Sequence, residues 1–234
     1  MTNARLAFRL GLALALTAAC GGCRLRKSGV IDPKQAGGPC PSEGSIEDAE
    51  DGDGQIQTVA GRGGYAYTYA DEKGTTVAPT GESFAPADGG ANGSAHALRM
   101  SGKVAAGEDP YAGLGMSFRD PKAVYDGSRY AGVSFYAKVG QSSVRRVRFR
   151  VSDVNTDPIG KVCKDCYNDF GVELELTPEW KHYAIPFSAL AQEPEWGSPR
   201  PAEVETAKLV GVSWQVATPG VFDLWVDDVA FTCR

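Results

Sequence analysis

Hydrophobic and polar residues alternate with a period of two along most of this chain, and that pattern limits what it can fold into. Four segments show the alternation without a break: VSFYAKV at 133–139, VRFRV at 147–151, VELEL at 172–176 and VGVSWQV at 210–216. Successive side chains of a β-strand point to opposite faces of the sheet, so each segment predicts a strand with one buried and one polar face. Such strands are typical of antiparallel sheets.

Turn-forming residues separate these segments. The chain has 29 Gly and 14 Pro among its 234 residues, which disfavours long helices, and helical periodicity is confined to about 201–208. Further strands are predicted at 64–70, 95–101, 114–119, 180–186 and 222–231. Their spacing predicts an all-β fold, a two-sheet antiparallel β-sandwich that forms one domain over 46–234.

The N-terminus has the pattern of an export signal. Two basic residues, Arg5 and Arg9, precede an apolar stretch at 10–19 that is too short to cross a bilayer as a helix. The string LTAAC that ends at Cys20 is similar to a bacterial lipobox, in which the cysteine is lipidated. We expect residues 1–19 to be a lipoprotein signal peptide and Cys20 to carry the lipid; an ordinary signal peptide cut at the same place is the alternative.

A tether is predicted to follow the lipidated cysteine. Residues 20–45 are rich in Gly, Pro and small polar side chains and lack periodicity, which is typical of a flexible linker. Gly21 stands where inner-membrane lipoproteins of enterobacteria have Asp. The sequence therefore predicts a cell-envelope protein, at the outer membrane or cell surface, that contacts the membrane through its lipid anchor.

Cys163 and Cys166 form a CxxC motif in a long predicted loop. This motif is compatible with a redox site, half of a zinc site or a local disulfide. A second CxxC or a His pair that would complete tetrahedral zinc is missing nearby, and the flanks lack the βαβ context of a thioredoxin-like site. An exported chain enters an oxidising compartment, so we predict a local disulfide.

A second disulfide is predicted between the two ends of the domain. Cys40 precedes the first predicted strand and Cys233 ends the last one. We pair these two residues, which leaves Cys23 as the odd thiol in the tether.

Charge and motif content exclude several function classes. Acidic residues outnumber basic ones by 29 to 24, for a net charge of −5, so the basic surplus of a general nucleic-acid binder is missing. The chain has only two histidines and no P-loop, GxSxG, HExxH or dinucleotide fingerprint. We therefore expect a protein that is not an enzyme.

Tyrosines provide the first candidate binding surface. Tyr65, Tyr67 and Tyr69 are spaced so that a strand would place all three on one face, as a wall of the core or as a stacking platform. We select Tyr67 and Tyr69 as ligand-stacking candidates, together with Tyr136, which we expect on an outward face beside Lys138 and the arginines at 146–150.

Arginines provide the second candidate binding surface. Arg146, Arg148 and Arg150 share the polar face of one predicted strand, as either a salt-bridged solvated face or the polar floor of a groove. We select Arg148, Arg150 and Asp153, at the end of that strand, as candidates for hydrogen bonds to a ligand.

An acidic residue in the last strand suggests a metal. In FDLWVDDVAF, Asp227 is in phase with Trp225, Val229 and Phe231, which predicts a carboxylate facing the core. A buried charge needs a partner, either hydrogen-bond donors or a cation such as calcium. The predicted first strand, which would lie beside the last, carries further acidic side chains: Glu50, Asp51 and Asp53.

Three strings together resemble a known family. AEDGDGQI near the start, LTPEWKHYAIPFSAL in the middle and FDLWVDDVAF at the end are similar to jelly rolls of the galactose-binding-like superfamily, with family-11 carbohydrate-binding modules and related bacterial lipoproteins the nearest match. The resemblance spans nearly all of 46–234. The complex-I assembly factor of the same superfamily has similar strings.

The resemblance implies two antiparallel sheets, a ligand cleft on the concave face and a structural calcium near the first and last strands. On the family's pattern, Glu50 and Asp227 are the positions that match calcium ligands. We therefore expect a monomeric, lipid-anchored protein that binds a polysaccharide or oligosaccharide without catalysis, with a β-glucan as the candidate ligand. The alternatives are a protein–protein interaction or assembly module on the same fold and, third, a glycoside hydrolase.

Overall fold

A computed structural model describes residues 40, 42–80 and 84–233 and shows two antiparallel sheets packed face to face. The predicted signal peptide, the lipidation candidate Cys20 and most of the predicted tether lie outside the described residues. The described part of the chain contains the following strands: β1 (Ser45–Glu47), β2 (Ala66–Ala70), β3 (Thr76–Ala78), β4 (Ala87–Asp88), β5 (His96–Val104), β6 (Ala112–Ser117), β7 (Tyr130–Val139), β8 (Arg146–Asp153), β9 (Phe170–Glu175), β10 (Lys181–Pro186), β11 (Leu209–Val216) and β12 (Gly220–Cys233).

The two sheets divide the strands unequally. The seven-stranded sheet has the order β10-β7-β12-β5-β3, with β1 added to β12 and β4 added to β5. The five-stranded sheet has the order β2-β6-β11-β8-β9. Most neighbours in these orders are distant in sequence, as expected for a jelly roll; the consecutive strands β4 and β5, and β8 and β9, are the exceptions, with β3 and β5 separated only by the short β4. The predicted fold class is confirmed.

The core lies between the sheets and is formed by the hydrophobic phase of each strand. At its centre the ring of Phe135 on β7 lies 5.0 Å from that of Phe149 on β8 and 5.0 Å from that of Trp214 on β11. Trp214 is completely buried. Because a buried aromatic contributes a large apolar area, truncating Trp214 to Ala would cost about 3–5 kcal/mol of folding free energy.

A bulge in β12 changes the phase of the last strand and corrects one prediction. Asp228 has a φ of 48°, and the register with β7 shifts between Asp227 and Ala230. Val226 and Val229 both face the core as a result, whereas Trp225 and Asp227 lie on the opposite face. The sequence analysis assumed that the alternation continues without interruption from Trp225 to Phe231, and so placed Trp225 and Asp227 with the core side chains.

Both predicted disulfides are present. Cys40 is bonded to Cys233 across 193 residues of sequence, and Cys163 is bonded to Cys166. The longer bridge closes nearly the whole domain, which in the chain-entropy view stabilises it by about 4–5 kcal/mol through the unfolded state.

The domain begins earlier than the boundary at residue 46 that the sequence suggested. The buried guanidinium of Arg62 donates to the backbone carbonyls of Glu43 at 2.8 Å and Ser45 at 2.5 Å. With the Cys40 bridge, these bonds make the end of the predicted tether part of the domain.

Two local predictions also change. Glu50, Asp51 and Asp53 lie in the bends that follow β1, not in the first strand. The expected helical segment near 201–208 is a single 3-10 turn at Thr206–Lys208. Among the described residues, no helix is long and apolar enough to cross a membrane.

Candidate functional site

The outer face of the five-stranded sheet brings together the tyrosines and arginines that the sequence singled out. Strand register aligns them in two rows that cross the sheet from β2 to β8. The rows are Tyr67–Gly115–Ser213–Arg150 and Tyr69–Gly113–Gln215–Arg148. We call these eight residues the tyrosine–arginine face.

The tyrosine rings extend over neighbouring glycines. A Cβ built on Gly115 would come within 2.6 Å of the Tyr67 ring, and one on Gly113 within 2.2 Å of the Tyr69 ring. Only a residue without a side chain leaves room for rings in these positions. The Gly-Leu-Gly string of β6 was a readable signal for this arrangement, because its glycines fall on the face opposite Leu114.

Four tyrosines form a continuous aromatic row along this side of the molecule. The ring centroids of Tyr65 and Tyr67 are 5.9 Å apart, those of Tyr67 and Tyr69 are 6.1 Å apart, and those of Tyr69 and Tyr111 are 6.1 Å apart. All four side chains are half-buried. Burial raises the pKa of the Tyr67 hydroxyl, which therefore stays a protonated hydrogen-bond donor. The sequence analysis did not find Tyr111.

Arg150 is held in one orientation at the centre of the face. Its guanidinium lies 2.8 Å from the carboxylate of Asp169, and it donates to Gln215 Oε1 and to the backbone carbonyl of Tyr167. It also lies 3.5 Å from the hydroxyl of Tyr69. Arg150 and Asp169 are both buried, so the pair is a rigid polar floor and not a mobile surface charge.

Arg148 is fixed in a similar way. Its Nη2 donates to the carbonyl of Ala191 at 2.7 Å, and carboxylate oxygens of Glu173 and Glu193 lie at 3.5 and 3.9 Å. Glu173 also pairs with Arg146 at 3.0 Å. Since every arginine of this strand has a carboxylate neighbour, the face offers oriented donors with little net charge.

Two of the predicted ligand residues lie elsewhere. Asp153 is fully buried at the end of β8 and accepts hydrogen bonds from the backbone N–H groups of Asn155 at 2.9 Å and Glu205 at 2.8 Å. Burial raises the pKa of its carboxyl. Asp153 therefore orders a loop and does not contact the face.

Tyr136 belongs to the other sheet. On β7 it pairs with His182 of β10 and Asp227 of β12, and its ring lies 5.0 Å from that of His182. The sequence predicted that Tyr136 would lie beside the arginines; because β7 and β8 are in different sheets, the two groups lie on opposite outer faces of the sandwich. The same outer face carries Lys138, which lies 4.6 Å from the centroids of Trp180 and Trp225.

The predicted calcium ligands are close to each other but are engaged by backbone groups. Asp227 is buried and accepts hydrogen bonds from the N–H groups of Ala91 at 2.7 Å and Asp228 at 2.8 Å, and Glu50 accepts from the N–H of His96 at 2.8 Å. Burial, with the nearby charges, raises the pKa of Asp227 to about 6. No group of three or more ligating His, Cys, Asp or Glu side chains occurs within the described ranges. Calcium at these residues stays a prediction.

Comparison with known proteins identifies the fold family. The sequence profile named "Carbohydrate binding domain 30" matches residues 58–233, which include the whole tyrosine–arginine face. The chain belongs to the carbohydrate-binding domain 30 family. The matched residues begin after the acidic segment that holds Glu50. No curated protein matches the chain.

Solved carbohydrate-binding modules have the same fold as this family member. It is similar to the family 11 module of the cellulase Lic26A-Cel5E from Clostridium thermocellum, with a TM-score of 0.57 and 17% identity over 82% of this chain and 95% of that one. A family 11 module from the same organism, solved with a β-1,3-1,4-mixed-linked tetrasaccharide, has a TM-score of 0.54 and 17% identity over 78% of this chain and 96% of the module. A family 30 module has a TM-score of 0.52 and 12% identity over 78% of this chain and 96% of the module. The resemblance to carbohydrate-binding modules with a jelly-roll fold is thereby confirmed, and its lipoprotein part stays a prediction.

Proposed function

We propose that this protein binds a neutral polysaccharide or oligosaccharide on the tyrosine–arginine face without modifying it. The observation that carries the proposal is the row of tyrosine rings that lies beside two immobilised arginines on one sheet surface. Sugar rings pack their C–H faces on aromatic rings, while their hydroxyls need fixed polar partners. The face offers both at adjacent positions.

Charge balance supports a neutral ligand. Arg150 is paired with Asp169, and Arg148 lies between Glu173 and Glu193. An acidic sugar would have to displace one of these carboxylates or approach it, and like charges repel in a partly buried site. Hydroxyl groups can accept from the arginines and donate to the carboxylates with the pairs left in place.

A β-glucan is the ligand class that we propose. Family 11 modules have this fold, and one of them was solved with a β-1,3-1,4-mixed-linked tetrasaccharide. A β-1,4-linked run of glucose units is extended and presents equatorial hydroxyls along both edges. Such a run would lie along the row of four tyrosine rings, whose centroids are spaced about 6 Å apart, with the arginine donors on one side.

We also propose that the protein is a monomer held at the cell envelope by a lipid on Cys20. Cys40, which is bonded to the end of the last strand, follows Cys20 by 20 residues. A linker of that length spans at most about 70 Å, so it would hold the face within reach of polymers near the membrane. Replacement of Cys20 by Ser should move the protein from the detergent phase to the aqueous phase; unchanged partitioning would contradict the anchor.

A glycan panel tests the proposed function. The purified protein is screened against neutral β-glucans, other neutral polysaccharides and uronate-containing polysaccharides, with calcium and with a chelator. We expect binding to neutral glucans and weaker binding or none to the acidic polymers. Absence of binding to every glycan at millimolar concentration would overturn the proposal and favour a protein–protein module on this fold.

A further inference from the structure

Two exposed aromatic side chains stand at the edge of the tyrosine–arginine face, on loops that the fold holds together. Tyr167 has 59% of its surface exposed and Trp196 has 39%. They are the aromatic members of the exposed large hydrophobic side chains in the described part of the chain. An exposed aromatic that is held rigidly is a typical contact residue in a binding site.

The backbone of Tyr167 is locked against the face. Its N–H donates to the carbonyl of Thr156 at 2.7 Å, and its own carbonyl accepts from the guanidinium of Arg150. Its φ is 72°, a left-handed conformation that is rare and costly for a bulky residue. The exposed ring of Tyr167 therefore stands on a fixed backbone position, whose carbonyl is bound by the same arginine that contacts Tyr69.

Asn168 joins the two loops. It is almost fully buried, and its Nδ2 donates to the carbonyls of Trp196 at 2.6 Å and Glu193 at 3.0 Å, while its Oδ1 accepts from the N–H of Glu193 at 2.8 Å. The indole of Trp196 donates to Glu193 Oε2 at 3.0 Å. Glu193 is also the neighbour of Arg148, so Trp196 is connected to the second arginine of the face.

The local disulfide reinforces this junction. Lys164 and Asp165 lie inside the small ring closed by Cys163–Cys166. Lys164 donates its N–H to the carbonyl of Ser198 at 2.8 Å, and Asp165 accepts from the N–H groups of Ser198 at 3.1 Å and Gly197 at 2.9 Å. The disulfide therefore orders a segment that pairs with the residues directly after Trp196.

We propose that Tyr167 and Trp196 form a rim subsite that binds additional sugar units of the glycan on the tyrosine–arginine face. Asn168 and the Cys163–Cys166 disulfide act as positioning elements for that subsite. The inference rests on the proposed carbohydrate function. It assigns the long CxxC loop a role in ligand length selection, since only a chain long enough to pass the arginines reaches both rings.

Oligosaccharides of increasing length test the subsite. Binding of β-glucan oligosaccharides from two to six units is measured calorimetrically for wild type, Tyr167→Ala and Trp196→Ala. Val221→Ala is the control, because Val221 is equally exposed at 57% but lies in the other sheet. We expect each aromatic variant to lose about fivefold or more in affinity for the longest ligand, with melting temperatures unchanged and the shortest ligand bound as by wild type.

A second variant tests the positioning role of the disulfide. Cys163→Ser combined with Cys166→Ser removes the local bridge and keeps Cys40–Cys233, which a reductant would not. In wild type, affinity should rise as the oligosaccharide lengthens from two to six units. We expect this rise to be smaller in the double variant, as in Tyr167→Ala. Wild-type length dependence in all three variants would overturn the rim subsite, whereas failure of wild type to bind any glycan would overturn the proposed function itself.

Discussion

The ring of Tyr69 lies over Gly113, so closely that a Cβ on the glycine would be 2.2 Å from the Cζ of the ring. Replacement of Gly113 by Ala should push the ring off the sheet and break the aromatic row at that point. Because the clash involves the outer end of a half-buried ring that can turn towards solvent, we expect the free energy of unfolding to change by less than about 1 kcal/mol. Glycan affinity should fall severalfold in calorimetry; unchanged affinity would mean that the ring position over Gly113 is irrelevant to binding.

Tyr67→Ala and Tyr136→Ala form a matched pair that separates the two outer faces. Both residues are half-buried tyrosines on sheet surfaces, but Tyr67 lies on the five-stranded sheet and Tyr136 on the seven-stranded one. Loss of a central stacking ring should cost about 2 kcal/mol of binding free energy, roughly thirtyfold in affinity. We expect that loss for Tyr67→Ala and none for Tyr136→Ala. The reverse result would move the site to the other sheet.

The positions of these two tyrosines show what the sequence can predict and what it cannot. Alternation is local, so it correctly placed Arg148 and Arg150 on a polar strand face. It also placed Tyr67 and Tyr69 together on one strand face, but left open whether that face was a wall of the core or a stacking platform. It contains no information about which sheet a strand joins, because pairing links residues far apart in sequence. Tyr136 was therefore grouped with arginines that lie on the opposite side of the sandwich.

Backbone irregularities and loops account for the other differences. The bulge at Asp228 adds a residue to β12, and a period-two pattern cannot show where such an insertion falls. Two of the partners of Arg150, the carboxylate of Asp169 and the carbonyl of Tyr167, come from the loop before β9, which has no periodic signal. The disulfides were predictable because Cys163 and Cys166 are close neighbours in sequence and because the sequence placed Cys40 and Cys233 at the two ends of one domain.

Glu47 should make the stability of the domain depend on pH. It is buried, one carboxylate oxygen accepts from the N–H of Ala49 at 2.6 Å, and the other has no partner in the described residues. Burial raises its pKa from 4.5 to about 8. The folded state holds the proton of Glu47 more tightly than the unfolded state does. Protonation of Glu47 therefore contributes folding stability that is fully present below about pH 4.5 and is lost as the pH rises to about 8.

The variant Glu47→Gln tests that dependence. Denaturant unfolding of wild type in excess chelator should show stability falling between pH 5 and 8, by an amount on the order of 4 kcal/mol from this group. Glutamine does not titrate and can still accept from Ala49, so the variant should lack this fall and be the more stable protein at pH 8. Equal pH slopes in the two proteins would show that Glu47 ionises normally.

If calcium binds at Glu50 and Asp227, the melting temperature of the protein should depend on the metal. An ion that binds only the folded state stabilises it by mass action, and it would offset the repulsion among the carboxylates of Glu50, Asp227 and Asp228. We expect added calcium to raise the melting temperature of wild type and to have no effect on Asp227→Asn. Identical melting curves in calcium and in chelator, with metal-free protein confirmed by elemental analysis, would exclude a structural ion.

The location of the bound glycan is the most direct test of the proposed function. Backbone amide shifts of the labelled protein are recorded during titration with a mixed-linkage β-glucan tetrasaccharide. We predict that the largest changes fall at Gly113, Gly115, Ser213 and Gln215, with little change around Tyr136 and Trp225. Shifts confined to the seven-stranded sheet, or no shifts at millimolar ligand, would contradict carbohydrate binding on the tyrosine–arginine face.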